Sequence, residues 1–224
     1  PAFIEQFLST AIGVVNTMMV SGLGAFAVSA VGIVDSINFV TMNLFLAVST
    51  GATVVIAQHL GAGNRKEASD TAAQSIVSVL ILSTITGLAL YIFGQQIIGF
   101  MFGDAEPAVK SAAWIYMICS AISYPLLGLF NIFTGILRAN NNFIASMTSI
   151  IMSNVINLVV GAICIFALDL GVLGAGIGLI AARFTGAAIL LFILIRSPKI
   201  YIKNASYKVC SDIMKPVLYI GVPA

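Results

Sequence analysis

Long runs of apolar residues at 2–22, 29–57, 71–93, 111–137, 143–167 and 172–195 leave this chain few ways to fold. A helix needs about 20 mostly apolar residues to cross the hydrocarbon of a bilayer, and each run is long enough. The breaks carry turn residues and charges: SGLGA, HLGAGNRKEASD, GDAEP, RANNN and LDLG. The runs are too long for barrel strands and do not alternate, so helices are the spanning element. The expected class is an all-α membrane protein with six transmembrane helices. Composition agrees, with 60% hydrophobic and 8% charged residues, whereas soluble domains carry roughly 25% charged residues. The first run lacks a basic leader and is followed by further spans, unlike a signal peptide.

Several function classes are excluded. The net charge of +2, with no basic patch interleaved with aromatics, argues against a nucleic-acid partner. Cys119, Cys164 and Cys210 form no CxxC or metal spacing and read as free thiols. The chain has no HExxH, GxSxG or P-loop, so no enzyme, bound cofactor or nucleotide site is expected. Energy for any transport must come from a gradient or a partner.

Lys and Arg set the orientation, because cytoplasmic loops carry their excess. The even loops hold Arg65, Lys66, Arg138, Arg196, Lys199, Lys203, Lys208 and Lys215, whereas the odd loops hold only Lys110. Both ends of the chain are therefore expected on the cytoplasmic side.

Polar residues inside the spans are the candidate functional groups. Span five carries Ser149, Ser153, Asn157 and Gly161 at every fourth position, with Asn154 alongside. Span one carries Glu5, Ser9, Gly13, Asn16 and Thr17, and Glu5 and Asn16 lie close to three turns apart on one face. Lipid offers these groups no partners, so the stripes serve either interhelical bonding or a wet pathway. Glu5, Asp35 and Arg183 are ionisable and intramembrane. Each would cost roughly 2.5–3.5 kcal/mol at a helix centre, so such residues usually pair or line a pathway. Depth favours Asp35 as the partner of Arg183. The alternative is that the acids reach the interfaces and Arg183 bonds backbone carbonyls. Gly174, Gly178, Ala182 and Gly186 form a small-residue stripe suited to close helix packing. Pro125 should kink span four or free a carbonyl.

The order and spacing of several segments resemble the N-terminal half of the multidrug and toxic compound extrusion (MATE) transporters. These segments are TMMVSGLGAFAVSAVG at 17–32, GATVVIAQHLGAGNRKEA at 51–68, SYPLLGLFNIFTGILRANNN at 123–142, Asn154 with Asn157, and GVLGAGIG at 171–178. PAFIEQFL and the closing YIGVPA resemble the starts of the family's first and seventh helices. The resemblance implies a six-helix lobe over 1–197, a basic interlobe linker at 198–215 and the start of a seventh helix at 216–224.

By resemblance, a second six-helix lobe completes the transporter, from the same polypeptide or a second copy. The lobes alternate access across the cell membrane, and Na+ or H+ enters as small amphipathic or cationic compounds leave. Membrane lipid and such a substrate are the other expected partners. Many prokaryotic members use an Asp in the first helix and a second in the fifth. Here Asn16 and Gly161 stand at those places. Asn can offer a carbonyl to Na+ near Asn16 and Asn157 but cannot take up a proton. Coupling is then expected to rest on the second lobe, with Asp35 or Glu5 as the alternatives in this half. The expected pathway residues are Glu5, Asn16, Thr17, Asp35, Ser153, Asn154, Asn157 and Arg183. The competing readings are a related flippase for lipid-linked precursors and a half-size, non-transporting membrane subunit.

Overall fold

The computed structural model describes residues 14, 17–103, 105–196, 215–217, 219 and 221. Glu5, Asn16, Cys210 and most of the expected linker lie outside these residues. The described residues are almost wholly helical, with no strand among them. Residues 17–21 belong to a first helix, α1. Then come α2 (Ala25–Gly61), α3 (Arg65–Met101), α4 (Pro107–Ala139), α5 (Phe143–Ala162, continued by a π turn over Ile163–Ala167) and α6 (Val172–Ile195). These last five are long and apolar enough to cross a membrane. Residues 215–217, 219 and 221 are helical as well.

The helices overrun the apolar stretches that announce them. At 37 residues, α2 and α3 are each about 55 Å long, against a hydrocarbon core of about 30 Å. Part of the excess is polar sequence where the two helices meet, at 58–61 and 65–70, which stays helical because the corner between them is capped.

Two corners share one construction. After α2, Gly63 takes φ +78°, Asn64 N–H donates to His59 O at 2.9 Å, and Gly63 N–H donates to Leu60 O at 3.2 Å. After α4, Asn141 takes φ +59°, Asn142 N–H donates to Leu137 O at 2.9 Å, and Asn141 N–H donates to Arg138 O at 2.9 Å. Both are Schellman endings, in which a left-handed residue closes the last turn. Asn142 then caps α5 by accepting Ala145 N–H at 3.3 Å. At the other corner, Glu67 in the first turn of α3 pairs with His59 at 3.0 Å and accepts from Asn64 Nδ2 at 3.4 Å.

The chain divides into two compact units, and the long helices contribute segments to both. One unit comprises residues 42–84, 125–149 and 186–224. Its core includes Ile56, Val79, Ile132, Ile136, Leu137, Leu190 and Leu194, all fully buried. Gly135 brings α4 against α2 there: a Cβ on it would lie 3.1 Å from the Ser49 carbonyl oxygen.

The other unit comprises residues 1–41, 85–124 and 150–185. Small residues set its helix spacing, as expected where lipid supplies no hydrophobic drive between helices. On α6, a Cβ at Gly174 would meet the Cys164 backbone at 2.9 Å, and one at Gly178 would meet Asn157 O and the Gly161 backbone at 3.0 Å. Gly176 faces α4, with the Cys119 sulfur at 2.6 Å from such a Cβ. Cys119 and Cys164 are buried free thiols. Pro125 has no N–H to give the Ala121 carbonyl four residues back. Gly87 of α3 closes on that oxygen, so near that a Cβ would sit 2.7 Å from it.

Candidate functional site

The unit of residues 1–41, 85–124 and 150–185 carries a partly open cavity of about 280 Å³. Helix periodicity selects its lining. On α2, Val28, Val31, Gly32 and Asp35 fall on one face; on α5, Asn157, Gly161 and Ile165 follow at every fourth residue. Thr17, Met19 and Val20 of α1, Tyr116 of α4, and Ala175 and Leu179 of α6 complete the wall. The walls are therefore mainly apolar, with oxygen-bearing side chains at Thr17, Asp35, Tyr116 and Asn157. Gly161 leaves room for the Met19 methyl, 3.4 Å from where its Cβ would be.

Behind Asp35 runs a hydrogen-bonded network. Asn38, one turn along α2 and buried, donates from Nδ2 to Asp35 Oδ1 at 3.3 Å and to Ser120 Oγ at 3.2 Å. Its Oδ1 accepts from the Tyr124 hydroxyl at 2.8 Å. Ser123 Oγ donates to Ser120 O at 2.8 Å. Arg183 of α6 donates to Ser120 O at 3.4 Å and to Ser123 Oγ, and its guanidinium lies 5.6 Å from the centre of the Tyr124 ring. α4 thus supplies three side chains within one turn, at 120, 123 and 124, just ahead of Pro125.

The expected direct pairing of Asp35 with Arg183 is replaced by this relay. Among the described residues, no carboxylate lies within 4.0 Å of Arg183. The α4 turn offers the guanidinium a carbonyl, a hydroxyl and an aromatic face, which satisfy it without the acid. Of the sequence-derived candidates, Thr17, Asp35 and Asn157 line the cavity together. Arg183 stands behind it. Ser153 and Asn154 are half-buried on α5 and do not line it. Glu5 and Asn16 lie outside the described residues. Sequence reasoning missed Tyr116, Asn38, Ser120, Ser123 and Tyr124. The signal was the spacing: Asn38 is three residues from Asp35, and 120, 123 and 124 share a helix face.

The fold defines a multi-pass α-helical membrane protein with a polar-footed cavity among its spans. The chain belongs to the MatE family, whose model matches residues 1–163. The family is one of transporters rather than enzymes. A probable multidrug resistance protein NorM of Thermotoga maritima is 26% identical over 227 residues, which take in 100% of this chain and 48% of the relative. A multidrug export protein MepA of Staphylococcus saprophyticus is 26% identical over 226 residues, covering 100% of this chain and 50% of the relative. The fold matches an inward-facing MATE transporter of the MOP superfamily with TM-score 0.89 and 22% identity, over 96% of this chain and 49% of that one. It matches an outward-facing one with TM-score 0.90 and 21% identity, over 98% of this chain and 49% of that one. The chain spans about half the length of these relatives.

Proposed function

We propose that the protein containing this chain exports small amphipathic or cationic compounds across the cell membrane, driven by inward movement of Na+ or H+. A second six-helix lobe completes the transporter, and access alternates between its two sides. Both ends of this chain face the cytoplasm, as the Lys and Arg distribution supports. The observation that carries the reading is the cavity: oxygen-bearing side chains from α1, α2, α4 and α5 converge in apolar walls inside membrane spans. Such walls suit a greasy ligand, and such oxygens suit a cation. Family membership and the multidrug names of the relatives support the substrate class. The likeness to both an inward-facing and an outward-facing structure supports a half that keeps its fold across the cycle.

Ethidium efflux from cells producing the full-length protein tests the reading. Efflux should exceed that of empty cells and should collapse when the Na+ gradient or the proton gradient is removed. Retention of ethidium at the level of empty cells, with the protein present in the membrane, would overturn it.

A further inference from the structure

Asp35 differs from the other polar groups of the cavity. Among the described residues it is the one acidic side chain lining it. Its Oδ1 is held by Asn38, whose own amide is fixed on both sides by Ser120 and Tyr124. Its Oδ2 has no hydrogen-bond partner among the described residues, and the side chain is exposed. Arg183 makes no direct ion pair with it: its guanidinium bonds Ser120 O and Ser123 Oγ and lies over the Tyr124 ring of α4, so its charge acts on the carboxylate from a distance and leaves the free oxygen unoccupied.

We propose that Asp35 is the cation-recognition residue of this half, presenting its outward oxygen to the head group of a quaternary or protonated amine. The inference rests on the export reading and adds to it a residue of α2.

The size and chemistry of the cavity argue for a head group over a bare ion. About 280 Å³ lies just below the usual range for small-molecule pockets, which starts at about 300 Å³. A single metal ion would leave most of that space against Val28, Val31, Ile165 and Leu179. A trimethylammonium group brings one positive charge and an apolar surface, which the carboxylate, the Tyr116 ring and the aliphatic wall can all meet. The rest of such a ligand would extend past the mouth of the cavity.

The test uses the full-length protein in lipid nanodiscs, with benzyltrimethylammonium and its neutral carbon isostere neopentylbenzene as probes. Binding is titrated by saturation-transfer NMR, and ethidium efflux is followed in parallel. Asp35→Asn should weaken benzyltrimethylammonium binding by about tenfold or more and leave neopentylbenzene within about twofold. Asp35→Glu, which keeps the charge, should recover most of the cation affinity. That recovery separates charge recognition from a folding defect. Equal loss of both probes in Asp35→Asn, with no recovery in Asp35→Glu, would overturn the proposal in favour of a structural role. Unchanged cation binding in Asp35→Asn would overturn it while the export reading stands. Failure of the unaltered protein to bind the cation would overturn the proposal alone, whereas failure to export ethidium would remove both.

Discussion

At the residue scale, the magnitudes separate two substitutions that look alike on paper. Arg183→Met removes an intramembrane charge, which relieves roughly 2.5–3.5 kcal/mol of insertion cost. It leaves Ser123 Oγ still bonded to Ser120 O. The expected change in unfolding free energy is therefore within about 1 kcal/mol, read as a small shift in thermal unfolding in detergent. Asn38→Leu strips a partner from Asp35, Ser120 and Tyr124 at once. Two of these bonds cross to α4, and with interhelical bonds in membranes worth about 0.6–1 kcal/mol each, the change should cost about 1–2 kcal/mol and lower the same transition clearly. If Arg183→Met is the more damaging of the two, the guanidinium is the keystone of the network and this ordering fails. Gly178→Ala belongs to another class. Its new methyl would sit 3.0 Å from backbone atoms of Asn157 and Gly161, which cannot swing aside as a side chain can. The expected loss is about 1–3 kcal/mol by overpacking. The cation probe should also bind less well, because that stretch of α5 lines the cavity.

At the element scale, Pro125 and Gly87 work as a pair. The proline withdraws a donor from Ala121 O, and Gly87 lets α3 approach the freed oxygen closely enough for a weak C–H contact. Gly87→Val should therefore be the more damaging, by about 1–3 kcal/mol. In Pro125→Ala a restored helical bond offsets any lost fit, so its thermal transition should lie closer to that of the unaltered protein. Reversal of that order would mean that the kink, not the contact, sustains the packing. How much of this was legible from the sequence depends on the element. Five spans stood out because lipid demands an unbroken apolar run of fixed length, and the runs at 29–57, 71–93, 111–137, 143–167 and 172–195 each fall within a helix. The overruns did not stand out, since hydropathy ends where the polar sequence begins while the helix continues to its cap. Thr17, Asp35 and Asn157 could be picked as polar groups in apolar company, and all three line the cavity. Tyr116 could not, because a Tyr on a membrane helix is ordinary until its neighbours are known. The π turn at Ile163–Ala167, closed by Leu168 N–H to Ile163 O at 3.1 Å, carried no sequence mark at all.

At the scale of the whole molecule, the orientation inferred from Lys and Arg can be checked directly. With Cys210 replaced by Ser, and Cys119 and Cys164 buried, a cysteine added at Ala62 should be labelled by an impermeant maleimide only from the cytoplasmic side. One at Ala105 should be labelled only from outside. The opposite pattern would invert the topology and with it the direction of transport. The two Schellman corners bear on how such a molecule is made. Each closes with hydrogen bonds formed inside the turn itself, at 59–64 and at 137–142. A corner of that kind needs nothing from distant parts of the chain, so α2 with α3, and α4 with α5, can fold back as hairpins while later sequence is still being synthesised. Arg65 and Lys66 beside the first corner, and Arg138 beside the second, resist being drawn through the bilayer. The hairpins would therefore leave the insertion machinery two helices at a time with their tips held on the side of synthesis, and the polar helix ends that meet at each of these two corners would reach their final compartment without crossing the bilayer.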